Sequence, residues 1–272
     1  MRIMLWLQRL LQGFVIGVCM LIPGLSGGTV AVLMGIYDDL LQSVAVFHKQ
    51  PKQSMVRLSA VGMGGVIGFV IMSDAVRSLL SVAYMQTVYL FMGVVLGGLL
   101  LQFIDTGGMK NISIPMIAVG LLTVFLLTLL PKDILHYSGD VIIVRLVFFV
   151  LAGLLLGAAL ILPGISFSLM LVTLGMYEEF LSAISGRQWS VLLPLMFSVM
   201  FGVLVLAKVL SVFMKQAPKY CNSLILGFVA ASIAEIFPGV PTGTALPVSL
   251  ILFLIGVAVC IFGVNRIKKR AA

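Results

Sequence analysis

The chain has 272 residues, of which 61% are hydrophobic and 10% are charged, and its mean hydropathy is +1.24. Soluble domains are typically about 45–50% apolar and about 25% charged, so this composition excludes a soluble globular enzyme. The net charge of +8 does not indicate nucleic-acid binding, because Lys and Arg occupy short loops between apolar runs, where they set the orientation of a membrane protein. We therefore predict no nucleic-acid partner.

Long apolar runs recur along the whole chain, and several reach the roughly 20 residues with which an α-helix crosses a bilayer core of about 30 Å. The sequence predicts an all-α, polytopic membrane protein. Catalytic residues and metal ligands are not predicted, since the two histidines and three cysteines show no spacing typical of a metal site. The apolar runs are residues 10–36, 58–73, 84–104, 112–130, 141–177, 189–214, 221–237 and 246–265.

An internal repeat divides the chain into two related halves. Residues 13–41 and 153–181 align without a gap, and nine of the 29 paired positions are identical. Two unrelated Leu-rich helices would agree at apolar positions by chance, but they would not share turn-forming and polar residues in one register. These shared pairs are Pro23 and Pro163, Gly24 and Gly164, Ser26 and Ser166, Gly35 and Gly175, and Tyr37 and Tyr177.

The repeat predicts two domains of the same build, residues 1–135 and 136–272. Each is predicted to contain a helical hairpin broken at Pro-Gly, because proline interrupts a helix interior, followed by three transmembrane helices. The first half has its hairpin at 10–47 and its helices at 55–73, 84–104 and 112–130. The second half has its hairpin at 141–184 and its helices at 189–214, 219–237 and 247–265.

The number of membrane crossings predicts how the halves are oriented. Each hairpin returns the chain to its starting side, and three crossings follow, so each half crosses an odd number of times. The second half then enters from the opposite face, and the halves form inverted-topology repeats. With cytoplasmic termini, twelve Lys and Arg residues fall on the cytoplasmic side and four on the outer side, as the positive-inside rule requires.

The lengths of the hairpin legs favour re-entrant hairpins. Pro23 lies 14 residues after Arg9 and 15 residues before Asp38. At about 1.5 Å per residue each leg covers about 20 Å, which is shorter than the bilayer core. Full spans remain the alternative, with the Arg9 side chain reaching to the interface.

The Pro-Gly-x-Ser motifs are the predicted substrate site. Irregular backbone at membrane depth must be buried in protein or line a polar cavity, and a helix N-terminus offers free N–H groups to an anion. Broken helices at matching positions of inverted repeats are typical of transporter sites. A tightly packed, capped helix break is the alternative for each motif taken singly. The residues predicted to bind a phosphate are Gly24, Ser26, Gly27, Gly28, Thr29, Gly164, Ser166 and Ser168.

Charged residues near or within the apolar runs are further candidates, because charges at membrane depth are costly and often functional. Solvated interfacial charges and membrane anchors are the alternative interpretation. The basic candidates for a lipid headgroup are Arg9, Arg145 and Lys208. The acidic candidates for carrying a coupling proton or sodium ion are Asp38, Asp39, Glu178, Glu179 and Glu235.

The strings PGLSGGTVAVLMGIYDDLL and LPGISFSLMLVTLGMYEEFL resemble the PopT-type polyprenyl-phosphate translocases, a bacterial membrane family formerly classed as a domain of unknown function. The resemblance covers essentially the whole chain. It implies a flippase that returns undecaprenyl phosphate from the outer to the inner leaflet of the cytoplasmic membrane for cell-wall synthesis. The second copy has Phe167-Ser168 where the first has Gly27-Gly28, so the two halves are expected to contribute unequally to phosphate binding.

Two other functions remain open from the sequence. A secondary transporter of a small soluble anion would use the same helix N-termini. An integral-membrane phosphatase or transferase is disfavoured, since the sequence offers no His or Asp cluster for that chemistry. No cofactor is predicted beyond a coupling ion, and the predicted partners are the lipid substrate, membrane lipids and, as an open option, a second copy in a homodimer.

Overall fold

Twelve α-helices form most of the computed structural model, which describes residues 2–22, 24–129 and 142–271. No strand occurs within these ranges, in agreement with the all-α prediction. The first six helices are α1 (Arg2–Cys19), α2 (Gly27–Leu33), α3 (Tyr37–Ala45), α4 (Pro51–Val82), α5 (Tyr84–Asp105) and α6 (Ile114–Leu129). The next six are α7 (Ile142–Ile161), α8 (Phe167–Thr173), α9 (Tyr177–Ser185), α10 (Trp189–Gln216), α11 (Pro218–Ile236) and α12 (Ala245–Ala271).

The helices after each hairpin agree with the sequence-based bounds to within three residues, apart from α4 at both ends and α12 at its C-terminus. The helix α4 is longer than the predicted 55–73 because Pro51 is pre-organised for the first turn. Its C-terminal turns also accept the polar residues Ser73, Asp74 and Arg77, which ended the apolar run but do not break a helix.

Within the described part of the chain, five helices are long and apolar enough to cross a bilayer: α4, α5, α10, α11 and the Ala245–Gly263 part of α12. Of the six predicted crossings, the one not among these five helices is 112–130, and it corresponds to the 16-residue helix α6. Residues 130–141 follow it and lie outside the described residues. Several spanning helices in one chain indicate a multi-pass membrane protein.

The helices of the two halves pack in matching pairs. The helix α1 packs along α4, and α7 packs along α10, so each hairpin has a partner in its own half. The last helices instead pair across the halves, α5 with α12 and α6 with α11. Glycines permit these contacts: a Cβ atom at Gly13 would lie 2.1 Å from the Val61 carbonyl oxygen, and one at Gly93 would lie 2.0 Å from that of Phe253. The cross-half pairs interlock the halves into one helical body.

Each hairpin contains three helices rather than the two legs that the sequence predicted. A second break follows α2 at Gly35 and follows α8 at Gly175, where φ is +66° and +71°. Residues other than glycine rarely adopt this left-handed conformation, so the glycine shared by the repeats ends the helix. Across the second break the axes of α8 and α9 differ by 112°.

Candidate functional site

The two Pro-Gly motifs build nearly identical backbone turns. The φ angles of Gly24 and Gly164 are +82° and +80°, a conformation that favours glycine. Ser26 and Ser166 then cap the helices α2 and α8, and their hydroxyl oxygens accept hydrogen bonds from the amides three residues on. Both serines thus make the helix cap that the sequence analysis gave as the alternative to phosphate binding, and their role in binding stays a prediction. Pro163 is buried, whereas Pro23 lies outside the described residues.

The two turns meet each other although 140 residues separate them in the chain. The Gly164 amide donates to Thr29 Oγ1 at 2.8 Å and to Ser26 Oγ at 3.2 Å. The two hydroxyl groups are themselves 2.8 Å apart, and Thr29 is fully buried. A Cβ atom at Gly164 would lie 2.1 Å from the Phe228 carbonyl oxygen, so α11 closes the other side of this contact. The structure thus brings the two predicted motifs into one site.

A cavity of about 600 Å³ opens beside this contact, and we call it the hairpin cavity. It is lined by five of the eight predicted phosphate residues: Ser26, Gly27, Gly28, Ser166 and Ser168. The other three do not line it: Thr29 and Gly164 are buried in the contact between the turns, and Gly24 is half-buried. Most other lining residues are aliphatic or aromatic and come from α1, α3, α4 and α7. The site is an apolar chamber with a small polar patch at the helix starts.

The polar patch combines hydroxyl and amide groups. Gly27 and Gly28 occupy the first two positions of α2, where an amide has no acceptor within the helix. On the other side, the hydroxyl groups of Ser166 and Ser168 are 2.9 Å apart. Ser26 already accepts from two amides, so the second-half serines are freer than Ser26 to turn towards a ligand.

The first hairpin reaches the other half through Tyr37. Its hydroxyl group donates to the Ile161 carbonyl oxygen at 2.9 Å, at the end of α7. Tyr37 was not among the predicted site residues and appeared in the sequence only as one of the residues shared by the repeats. The signal for a larger role was present, since tyrosine recurs two residues after the shared glycine in both repeats.

The acidic pair of the first half is divided between two environments. Asp39 forms an ion pair with Arg9, which also donates to Gln12. Asp38 faces a separate cavity of about 230 Å³, which Gln102 and Asn222 also line. Neither aspartate lines the hairpin cavity, so any part they have in coupling is at a distance from the serines.

Glu235 is an acidic candidate that lies beside the Gly24 turn. It occupies the last turn of α11, and a Cβ atom at Gly24 would lie 3.7 Å from its Cγ. Its Oε2 atom is buried and has no hydrogen-bond partner among the described residues. A buried carboxylate oxygen without a donor is costly, which singles out this residue from the other acids.

Lys208, Glu178 and Glu179 are not among the described residues that line the hairpin cavity. Lys208 is exposed on α10, and Glu178 is exposed in the first turn of α9, next to the partly buried Glu179. Arg145 belongs to α7, but its side chain lies outside the described residues. Their proposed roles in headgroup binding and coupling remain predictions.

The fold and the site define a class: a multi-pass helical membrane protein with two broken hairpins that meet at a largely apolar cavity. The chain belongs to the family described as VCA0040-like, undecaprenyl phosphate translocase-like, whose profile matches residues 16–249. This confirms the family resemblance seen in the repeated motifs.

Two curated relatives extend the comparison. The chain is 29% identical to a polyprenyl-phosphate transporter of Staphylococcus aureus over 266 residues, which is 92% of this chain and 93% of that protein. It is 25% identical to a polyprenyl-phosphate transporter of Vibrio cholerae over 255 residues, 87% of this chain and 79% of that protein. Both relatives are transporters rather than enzymes. No solved structure is significantly similar to the chain.

Proposed function

We propose that this protein is a flippase that moves undecaprenyl phosphate from the outer to the inner leaflet of the bacterial cytoplasmic membrane, with both termini in the cytoplasm. The family and both relatives, which are named for polyprenyl phosphates, support the substrate class. The twelve-to-four distribution of Lys and Arg supports the orientation. Return of the carrier lipid to the inner leaflet would make it available again for cell-wall synthesis.

The observation that carries the proposal is the composition of the hairpin cavity. A polyprenyl phosphate has one small anionic group and a long apolar chain, and the cavity has one small polar patch in an apolar wall. We place the phosphate at Ser166, Ser168 and the amides at the start of α2, with the chain along the aliphatic wall. A small soluble anion would need the polar patch alone, so the apolar wall favours the lipid.

For the transport cycle we propose alternating access by inverted repeats. The hairpins have the same sequence pattern but are not packed alike, since α3 packs on α10 whereas α9 makes no comparable contact with α4 among the described residues. If the two hairpins exchanged these arrangements, α9 would pack on α4 and α3 would leave α10. The phosphate site between them would then face the opposite leaflet.

For coupling we propose that Glu235 carries a proton, because its buried oxygen atom lacks a partner beside the Gly24 turn. In liposomes with an imposed pH gradient, Glu235→Gln is expected to abolish gradient-driven accumulation of the lipid in one leaflet. Asp74→Asn is the matched control, since this exposed acid lies on α4 away from the cavity. Equal accumulation by Glu235→Gln and wild type would remove Glu235 from the coupling.

Transport itself is tested with liposomes that contain ³²P-labelled undecaprenyl phosphate and the purified protein. An external phosphatase releases label only from the outer leaflet, so continued release reports movement of lipid from the inner leaflet. We expect release beyond the outer-leaflet pool with wild type, and a rate lowered about tenfold or more by Ser166→Ala with Ser168→Ala, if two hydrogen bonds to a charged phosphate are lost.

The matched control is Ser59→Ala with Ser73→Ala, which removes two hydroxyl groups that bond only to carbonyls of α4. Release from wild-type vesicles that stops at the outer-leaflet pool, as in protein-free vesicles, would overturn the proposed function. Full activity of the Ser166 and Ser168 variant would instead show that the phosphate does not bind at these serines.

A further inference from the structure

A second cavity, which we call the basic cavity, lies between the N-terminal parts of α1 and α4. Its volume is about 660 Å³. Three cationic side chains line it, Arg9, Lys52 and Arg57, together with Trp6 and the aliphatic residues Leu5, Val56 and Ala60. The cavity thus combines positive charge with an apolar floor, the combination that suits a lipid headgroup at a membrane interface.

The charge balance of the basic cavity leaves two positive charges available. Arg9 is paired with Asp39, which neutralises one of the three cations. Three positive charges less one negative charge give a net charge of +2. A phosphate monoester carries about −1.5 to −2 at neutral pH, whereas the phosphodiester of a common anionic phospholipid carries a single negative charge. The cavity therefore matches a monoester more closely.

The same two helices line both cavities. The residues Ile16 of α1 and Val61 of α4 line the hairpin cavity. They lie seven and four residues beyond Arg9 and Arg57, which is about 10 Å and about 6 Å along a helix. The two cavities are therefore neighbours along one helix pair, so a lipid bound at either of them contacts both α1 and α4.

We propose that the basic cavity is a second binding site, which holds the phosphate monoester headgroup of a polyprenyl lipid before or after its passage through the hairpin cavity. This inference rests on the proposed function. Lys52 and Arg57 bind the phosphate oxygens, and Trp6 packs against the first isoprenoid units. Arg9 positions the site through its ion pair with Asp39 on α3, so the hairpin and the docking site are mechanically joined.

The test is local crosslinking. The photoreactive residue p-benzoylphenylalanine replaces Gln53, which lines the basic cavity, and the full-length protein in phosphatidylcholine nanodiscs is irradiated with ³²P-labelled undecaprenyl phosphate. We expect labelling that unlabelled undecaprenyl phosphate competes away far better than phosphatidylglycerol does. In the background of Lys52→Gln with Arg57→Gln, the concentration needed for half-maximal labelling should rise about 30-fold. Each cation near a membrane surface strengthens binding of an anionic lipid about fivefold, and this variant removes two of them.

The matched control is Lys215→Gln with Lys219→Gln, which removes two exposed positive charges that do not line the basic cavity. We expect this variant to label like wild type. Unchanged labelling in the Lys52 and Arg57 variant, or equal competition by phosphatidylglycerol, would overturn the docking site. Transport without labelling at position 53 would reject the docking site but not the function, and labelling without transport would reject the function.

Discussion

The two hairpins have the same element order and the same turns, yet they are packed differently. Tyr37 is 7% exposed, whereas its counterpart Tyr177 is 37% exposed. Leu41 is 2% exposed and its counterpart Leu181 is 42% exposed. The last helix of the first hairpin is thus docked on the other half, while that of the second hairpin has its main contacts within its own half, with α8 and α10. Two copies of one motif adopt two states within a single structure.

The turns differ in chemistry as well as in packing. Thr29 of the first half accepts the Gly164 amide, and its counterpart in the second half is Leu169, which has no hydroxyl group. The second half instead has Ser168 where the first has Gly28. The first turn therefore provides the structural contact between the halves, and the second provides the freer hydroxyl groups. This division of roles can be tested by equivalent substitutions in the two halves.

The largest contrast is expected between Gly164→Ala and Gly24→Ala. Both place a side chain at positive φ, which costs about 1–2 kcal/mol. At Gly164 the new Cβ atom would also lie 2.1 Å from the Phe228 carbonyl oxygen, whereas at Gly24 the nearest atom is a side-chain carbon of Ile236 at 3.2 Å, which can shift more readily than backbone. We expect Gly164→Ala to cost about 3 kcal/mol or more and Gly24→Ala about half of that, as measured by unfolding in detergent. Equal losses would refute the asymmetry of the turns.

A smaller effect is expected for Thr29→Val. This substitution removes the closer acceptor of the Gly164 amide but leaves Ser26 Oγ at 3.2 Å, so the free energy of unfolding should fall by about 1–2 kcal/mol. Thr123→Val is the matched control, because its exposed hydroxyl group bonds only to the Val119 carbonyl oxygen of its own helix. The control should change stability by less than about 0.5 kcal/mol. A Thr29 variant as stable as the control would show that the contact between the halves is not structural.

The smallest effect is expected for the two tyrosines. Tyr37→Phe removes the hydrogen bond to Ile161, which should destabilise the docked state of the first hairpin by about 1 kcal/mol. The equilibrium between the docked states of the first and second hairpins should therefore shift about fivefold towards the second. Tyr177→Phe should shift the equilibrium in the opposite direction, because by the repeat its hydroxyl group would bond to the Leu21 carbonyl oxygen in the exchanged state. Cysteine accessibility at Leu181 reports the shift. Changes of the same sign in both variants would argue against exchange.

Much of the site could be predicted from the sequence, because its signals are local. Proline and glycine fix the turn, serine caps the next helix, and these effects act within a few residues. The glycines of α4 and α5 also recur at helical spacing in the sequence, a pattern that indicates close helix packing. The second break was missed, although Gly35 and Gly175 recur in both repeats, since the apolar runs continue through them.

The packing between distant helices could not be predicted. The helices α5 and α6 are apolar around most of their circumference, so the pattern does not indicate that α5 pairs with α12 and α6 with α11. The contact of Thr29 with Gly164 could not be predicted either, because it joins residues 135 positions apart. The basic cavity likewise depends on where α1 lies against α4. The division into domains at residue 135 remains a prediction.

Alternate docking of the hairpins is tested most directly by pulsed electron–electron double resonance, which measures the distance between two spin labels, on two labelled pairs. One pair joins Gln42 of α3 to Lys215 of α10, and the other joins the counterparts Ser182 of α9 and Ser81 of α4. In liposomes with undecaprenyl phosphate, we expect both pairs to show a short and a long distance, with the populations changing in opposite directions when Tyr37→Phe is introduced. A single long distance for the Ser182–Ser81 pair in vesicles that transport the lipid would contradict alternating access by these hairpins.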